Sequence, residues 1–304
     1  MKILLYLLPF FLSFPLSGQD NIALVRSKVE IKNLSNNPAT SGEYFSNFEL
    51  HDRMIIVTAK LNGKEGKYIL DTGSPMLVLN KKIENVSTQI GGFSKDCDSE
   101  IVAVKKFEWA GMSNKNIEAI AFDMSGLVKS LGIEVQGLIG QNLFKNYELL
   151  IDIENKKIQL FNPKKSTLHK TSKYSQKINF SLEHHIPVIT VKIDGKKYRF
   201  GIDTGAEVNV ISRDLKEKFE KKLLHNFQVN NLHGIDGISQ KVVSANLSNF
   251  KIKKRNFSNF NFLFIDFTPL QQGYELEIDG ILGYPFLKEN KISINYKKQK
   301  IYFW

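Results

Sequence analysis

Asp71 and Asp203 each open an Asp-Thr-Gly tripeptide, Asp71-Thr72-Gly73 and Asp203-Thr204-Gly205. The first acid interrupts an apolar, strand-like run, with Ile69-Leu70 before it and Met76-Leu77-Val78-Leu79 after it. A lone carboxylate in such surroundings is costly, because a buried charge loses its hydration. Two carboxyls held against each other behave differently. They cannot both ionise easily, so they share one proton. The ionised member can take a proton from water while the neutral member gives one to a carbonyl oxygen. The chemistry on offer is attack of water on an amide, with no metal and no covalent intermediate. Gly73 and Gly205 would let backbone N–H groups approach the acids. Thr72 and Thr204 could hydrogen-bond across to the opposite loop and hold the acids in register.

Something must bring two acids 132 positions apart (203 − 71) to one place, and the chain carries the device as a duplication. Val57–Asn80 aligns over Ile189–Ser212. In both, a glycine (Gly63 or Gly195) stands eight positions before the acid, in an Asn-Gly or Asp-Gly turn. Such turns between alternating runs predict β-hairpins. Val135–Phe161 aligns over Ile278–Trp304, so that Gly137-Leu138-Ile139-Gly140 matches Gly280-Ile281-Leu282-Gly283. The late offset is 143 (283 − 140), so the second half has a middle 11 residues longer (143 − 132). Each half therefore predicts a hairpin, the Asp-Thr-Gly loop, a strand, a variable middle, an apolar-Gly strand, one helical turn and a closing hairpin. The helical turns fall at Leu143-Phe144-Lys145 and Phe286-Leu287-Lys288. Packed about a pseudo-two-fold axis, the two copies would place Asp71 and Asp203 face to face. Asp152 has Asn295 as its counterpart, which excludes it from a symmetric pair. Period-two alternation through most of the chain makes the class mainly β.

The rest of the chain frames this repeat. Lys2, the apolar run Ile3–Phe14 and the small pair Ser17-Gly18 have the layout of a signal peptide over residues 1–18, with cleavage before Gln19. Residues 19–45 match nothing in the second half and form an N-terminal extension with a strand expected over Val25–Ile31. The first lobe is expected over 46–161, a polar, lysine-rich linker over 162–176 and the second lobe over 177–304. The net charge is +11, but the lysines are scattered, with one denser patch at Lys251, Lys253, Lys254 and Arg255. That distribution reads as a solvated surface, not as a nucleic-acid footprint. Cys97 is the single cysteine, so no internal disulfide framework exists, and Asp96 and Asp98 beside it argue against an activated thiolate. His184-His185 lacks any metal-site spacing and reads as a satisfied or solvent-facing pair. No nucleophile elbow surrounds Ser74.

The chain resembles the aspartic proteases of the pepsin and retroviral protease superfamily. The residues that carry this are Asp71-Thr72-Gly73-Ser74 and Asp203-Thr204-Gly205-Ala206. Each motif follows an apolar strand and precedes an apolar-Gly segment, Leu138-Ile139-Gly140 or Ile281-Leu282-Gly283. The halves are shorter than pepsin's lobes, so the chain looks like a retroviral-type dimer fused into one polypeptide, similar to exported bacterial proteins of that type. The resemblance implies a bilobal acid-protease fold, with two β-barrel-like lobes related by a pseudo-two-fold axis and a cleft between them. It implies catalysis by Asp71 and Asp203, supported by Thr72, Gly73, Ser74, Thr204, Gly205 and Ala206. Glycine-rich Gln89–Asp96 (Gly91, Gly92) and Leu232–Gln240 (Gly234, Gly237) are the candidate flaps. The family's flap tyrosine, disulfides and prosegment find no match. The resemblance also implies an extended peptide or protein substrate, a monomer exported to the periplasm or beyond, and no cofactor, metal, nucleic acid or membrane span after signal cleavage.

Two further expectations follow. A Ser74 hydroxyl could donate to the Asp71 carboxylate where Ala206 offers nothing to Asp203, so Asp71 is expected to be the stronger acid of the pair. Lacking one hydroxyl, the dyad should keep its proton to higher pH than pepsin's. A different class also fits the repeat: a catalytically silent module that holds extended peptides by strand addition. Acids intact in both halves argue against that alternative.

Overall fold

The computed structural model describes residues 2–4, 43–82, 89–91, 99–219, 223–233, 239–268 and 276–304. The strand expected over Val25–Ile31, Cys97 and three of the flap glycines, Gly92, Gly234 and Gly237, lie outside these residues. Within them the fold is mainly β, built as two lobes and a sheet they share.

The hairpin signals produce the hairpins. Met54–Leu61 pairs with Lys64–Leu70 in the first lobe, and Ile186–Ile193 with Lys196–Ile202 in the second. Asn62, Gly63, Asp194 and Gly195 all adopt positive φ (51°, 90°, 49° and 76°), the tight turn that matches strand twist. The two leading strands bury the same positions in the same order, four buried residues followed by alternation. Each second strand then pairs in parallel with the apolar-Gly strand of its own half, Tyr68–Leu70 with Gly137–Ile139 and Phe200–Ile202 with Gly280–Leu282. Pairing of Ala59 with Trp109 bends the first sheet back on itself, and pairing of Lys192 with Lys251 does so in the second, which makes both lobes barrel-like.

The longer middle of the second half is a longer hairpin. Glu100–Trp109 and Met112–Phe122 form that hairpin in the first lobe, against Ser239–Ile252 and Arg255–Ile265 in the second. The flanking strand is three residues in the first lobe, Gln89–Gly91, and ten in the second, Leu224–His233. Gly91 thus sits at a strand end. The backbone of Lys2–Leu4 runs parallel to Asn231–His233 at the edge of the second sheet.

The closing hairpins of both halves join in one six-stranded sheet. Its order is Gln176–Asn179, Lys300–Phe303, Ile292–Asn295, Glu148–Asp152, Lys157–Phe161, Glu43–Asn47. The seam between halves pairs Glu148 with Asn295 and Ile151 with Ile292 in antiparallel register. One continuous apolar cluster runs from the first lobe through this sheet into the second. Two sequence expectations need correction here. The stretch 162–176 is not plain linker: Leu168–Thr171 is a helical turn whose His169 ring packs tilted against Tyr302, with centroids 4.1 Å apart, and stacks on Trp304 at 5.4 Å. The extension expected to end at 45 runs into the sheet, because Glu43–Asn47 completes its edge with Tyr44 buried.

Candidate active site

Two strand ends deliver the acids. The Asp71 N–H donates to the Ile139 carbonyl and the Asp203 N–H to the Leu282 carbonyl, each at 3.1 Å. Each Asp-Thr-Gly loop therefore hangs from its own apolar-Gly strand, as the repeat requires. The threonines then tie the loops together. The Thr72 N–H donates to Thr204 Oγ1 and the Thr204 N–H to Thr72 Oγ1, both at 2.9 Å. Each hydroxyl passes its own proton to a carbonyl across the interface, Thr204 to Leu70 at 2.8 Å and Thr72 to Ile202 at 3.4 Å. Both threonines are buried, so every partner in this exchange is one that water cannot replace.

The exchange brings Asp71 and Asp203 together. The Gly73 N–H donates to Asp71 Oδ1 at 2.8 Å and also to Asp203 Oδ1 at 3.1 Å. The Gly205 N–H donates to Asp203 Oδ1 at 2.8 Å. These positions admit glycine alone: a Cβ on Gly73 would stand 2.5 Å from Asp203 Oδ2, and one on Gly205 2.6 Å from Asp71 Oδ1. Both acids are almost wholly buried.

Burial pushes both carboxyls up. Asp71 rises furthest, first from burial and then from the charge of Asp203 beside it. Asp203 is pushed up to about 6 by burial, restrained by the Gly205 N–H, by a hydrogen bond from Asp71 and by the Gly73 N–H. The pair as a whole thus holds its proton above the ordinary carboxylate range. The Ser74 hydroxyl donates to the Met76 carbonyl at 2.9 Å and not to the Asp71 carboxyl. Ala206, its counterpart, is buried, and its carbonyl accepts the Tyr284 N–H at 2.8 Å.

Several residues with no motif around them complete the site. Asn142 Oδ1 accepts the Leu77 N–H at 3.1 Å, and Asn209 Oδ1 accepts the Gly283 N–H at 3.0 Å. These buried amides pin the strands that adjoin the acid-bearing loops. Their signal was a polar residue inside an apolar run. Tyr296 is buried, and desolvation together with the field of Asp203 and Asp71 drives its phenol well above the ordinary range. His185 is buried too and bonds through Nε2 to the Gly73 carbonyl, while His184 beside it is exposed, so the pair has one satisfied and one solvent-facing member.

No curated protein matches the chain. Residues 189–286 match the family described as Aspartyl protease. The matched stretch contains the Asp203 loop and its Ile281-Leu282-Gly283 strand, and it supports a place for this chain in the aspartic protease superfamily.

Proposed function

We propose that this chain is an aspartic endopeptidase in which Asp71 and Asp203 jointly activate water against a peptide bond. The observation that carries the reading is the Gly73 N–H shared by both carboxyls, which makes the two acids one hydrogen-bonded unit. Asp203 is the member that ionises first and takes a proton from water. Asp71 gives its proton to the carbonyl oxygen of the scissile amide. The tetrahedral intermediate then collapses: Asp203 returns its proton to the leaving amine, and Asp71 recovers one from the hydroxyl of the new acid. Thr72, Gly73, Ser74, Thr204, Gly205 and Ala206 hold this geometry without touching substrate.

The substrate of such a site is an extended peptide lying between the lobes. Export follows from Lys2 and the apolar run Ile3–Phe14, and a purified mature protein should begin at Gln19. The test is cleavage of a mixed peptide library across pH 3 to 8 by wild type, Asp71→Asn and Asp203→Asn. Loss of at least a thousandfold in kcat/KM with either variant is expected. Peptides bound but uncut by wild type would replace this reading with the silent binding module.

A further inference from the structure

The turn between Ser181–Glu183 and Ile186–Ile193 belongs to the second lobe, yet it carries His185 onto the Asp71 loop of the first. A carbonyl oxygen only accepts, so His185 Nε2 carries the proton in this contact. The Gly73 carbonyl belongs to the peptide unit whose other end is the Ser74 N–H. That N–H donates to the Asp71 backbone carbonyl at 3.3 Å and from there lies close enough to the carboxyl to favour its ionised form. A donor on one end of an amide polarises the N–H at the other end. The atoms therefore form a chain from the imidazole through the Gly73–Ser74 amide to Asp71.

Among the described residues the first lobe shows no equivalent. Position 53, which lies 132 before His185 (185 − 132), is Arg53, an exposed residue. The two Asp-Thr-Gly loops match in their threonine exchange but differ at this carbonyl. His185 is 5% exposed, so its bond is shielded from water. Burial pushes the imidazole down to about 4, with the nearby charge of His184 acting the same way and the Gly73 carbonyl opposing, so the ring is neutral across the working range. The other charged groups around it are Asp71 and Asp203 on the loops it faces, and the Glu183–Arg199 ion pair on its own hairpin.

We infer that His185 is a positioning residue for the dyad: its Nε2–H fixes and polarises the Gly73–Ser74 amide, so the second lobe tunes the acid of the first. This rests on the aspartic endopeptidase reading. The donor matters, not the charge, so His185→Gln should preserve what His185→Phe removes.

The experiment uses the full chain in three forms: wild type, His185→Gln and His185→Phe. In steady-state kinetics His185→Phe should lose at least tenfold in kcat with KM within about twofold, and its alkaline limb, set by Asp71, should move to higher pH. His185→Gln should stay within about threefold of wild type with an unmoved limb. Titration of protein labelled with carbon-13 at the aspartate carboxyls reads the same shift whether or not peptides are cut. If wild type cuts nothing yet His185→Phe still moves the dyad titration, the endopeptidase reading fails and the positioning role stands. An unmoved titration in His185→Phe, or a His185→Gln as impaired as His185→Phe, overturns the role. Nitrogen-15 NMR of the wild-type imidazoles covers a variant that fails to fold: a neutral ring protonated on Nε2 is expected, and one protonated on Nδ1 overturns the inference.

Discussion

Asp71 and Asp203 occupy equivalent positions, but their hydrogen bonds differ, and the difference sets the pH at which the pair can work. Asp203 accepts two backbone N–H groups and a bond from Asp71, and it loses its proton near pH 6. Below that pH both carboxyls are protonated and no base is present. Activity should therefore rise with pH through a midpoint near 6 and fall only when Asp71 ionises at higher pH. A kcat/KM profile, which reports the free enzyme, checks this; a maximum confined to strong acid would contradict it. The acids, threonines and glycines were legible because a tripeptide at matched places in both copies of a repeat seldom arises by chance. The Ser74 hydroxyl was not, because its two possible acceptors, the Asp71 carboxyl and the Met76 carbonyl, are both local, on either side of it in sequence. His185 had no signature at all: it acts on a loop 112 positions away through a single carbonyl.

The next scale is the strand under each loop. Gly140 lies so close to the loop backbone that a Cβ there would meet the Met76 carbonyl oxygen at 2.1 Å. Neither partner is a flexible side chain, so the strand must move away from the loop that holds Asp71. Gly140→Ala should lose about 1–3 kcal/mol of stability, as forced packing does. It should also lose more than tenfold in kcat. Gly63 provides the contrast, since a Cβ there would meet nothing within 4 Å. Gly63→Asn keeps a residue that tolerates positive φ and should leave kcat unchanged, with less than about 1 kcal/mol lost. Urea unfolding and steady-state kinetics on the two variants separate these outcomes. Hairpins, turns and apolar-Gly strands were readable from period and turn chemistry. The placement of the 11 extra residues was not, because a longer hairpin and a longer loop have the same length in sequence.

At the scale of the molecule, the halves are fastened on the seam of the shared sheet. Glu148 of the first half accepts Ser293 Oγ at 2.6 Å and Asn295 Nδ2 at 2.8 Å from the second, and meets His169 Nε2 of the connecting segment at 2.9 Å. Asp152 and Lys291 pair across the same seam at 2.6 Å. Glu148 is 2% exposed, so Glu148→Ala leaves two buried partners, Ser293 and Asn295, without it and away from water. It should lower stability by about 3 kcal/mol, as removal of one member of a buried charged set does. Lys291→Ala breaks a pair with one exposed partner and should cost less than about 1 kcal/mol. Equal losses in chemical unfolding would refute this ranking. None of this seam was legible beforehand, since Glu148 and Ser293 stand 145 positions apart with no periodic relation.

The seam also orders events during synthesis. Its strands Ile292–Asn295 and Lys300–Phe303 leave the ribosome after the other described strands of both lobes, and one of them pairs directly with Glu148–Asp152. Long-range pairing of this kind forms slowly, because distant segments must be ordered before any contact rewards them. Nascent chains carry the Asp71 loop long before the strand that suspends Asp203 exists. On the proposed reading, a water-activating pair assembled from both halves is therefore inert until the strands that close the second lobe have been made. Two half-chains made separately should likewise be silent alone and regain activity when mixed.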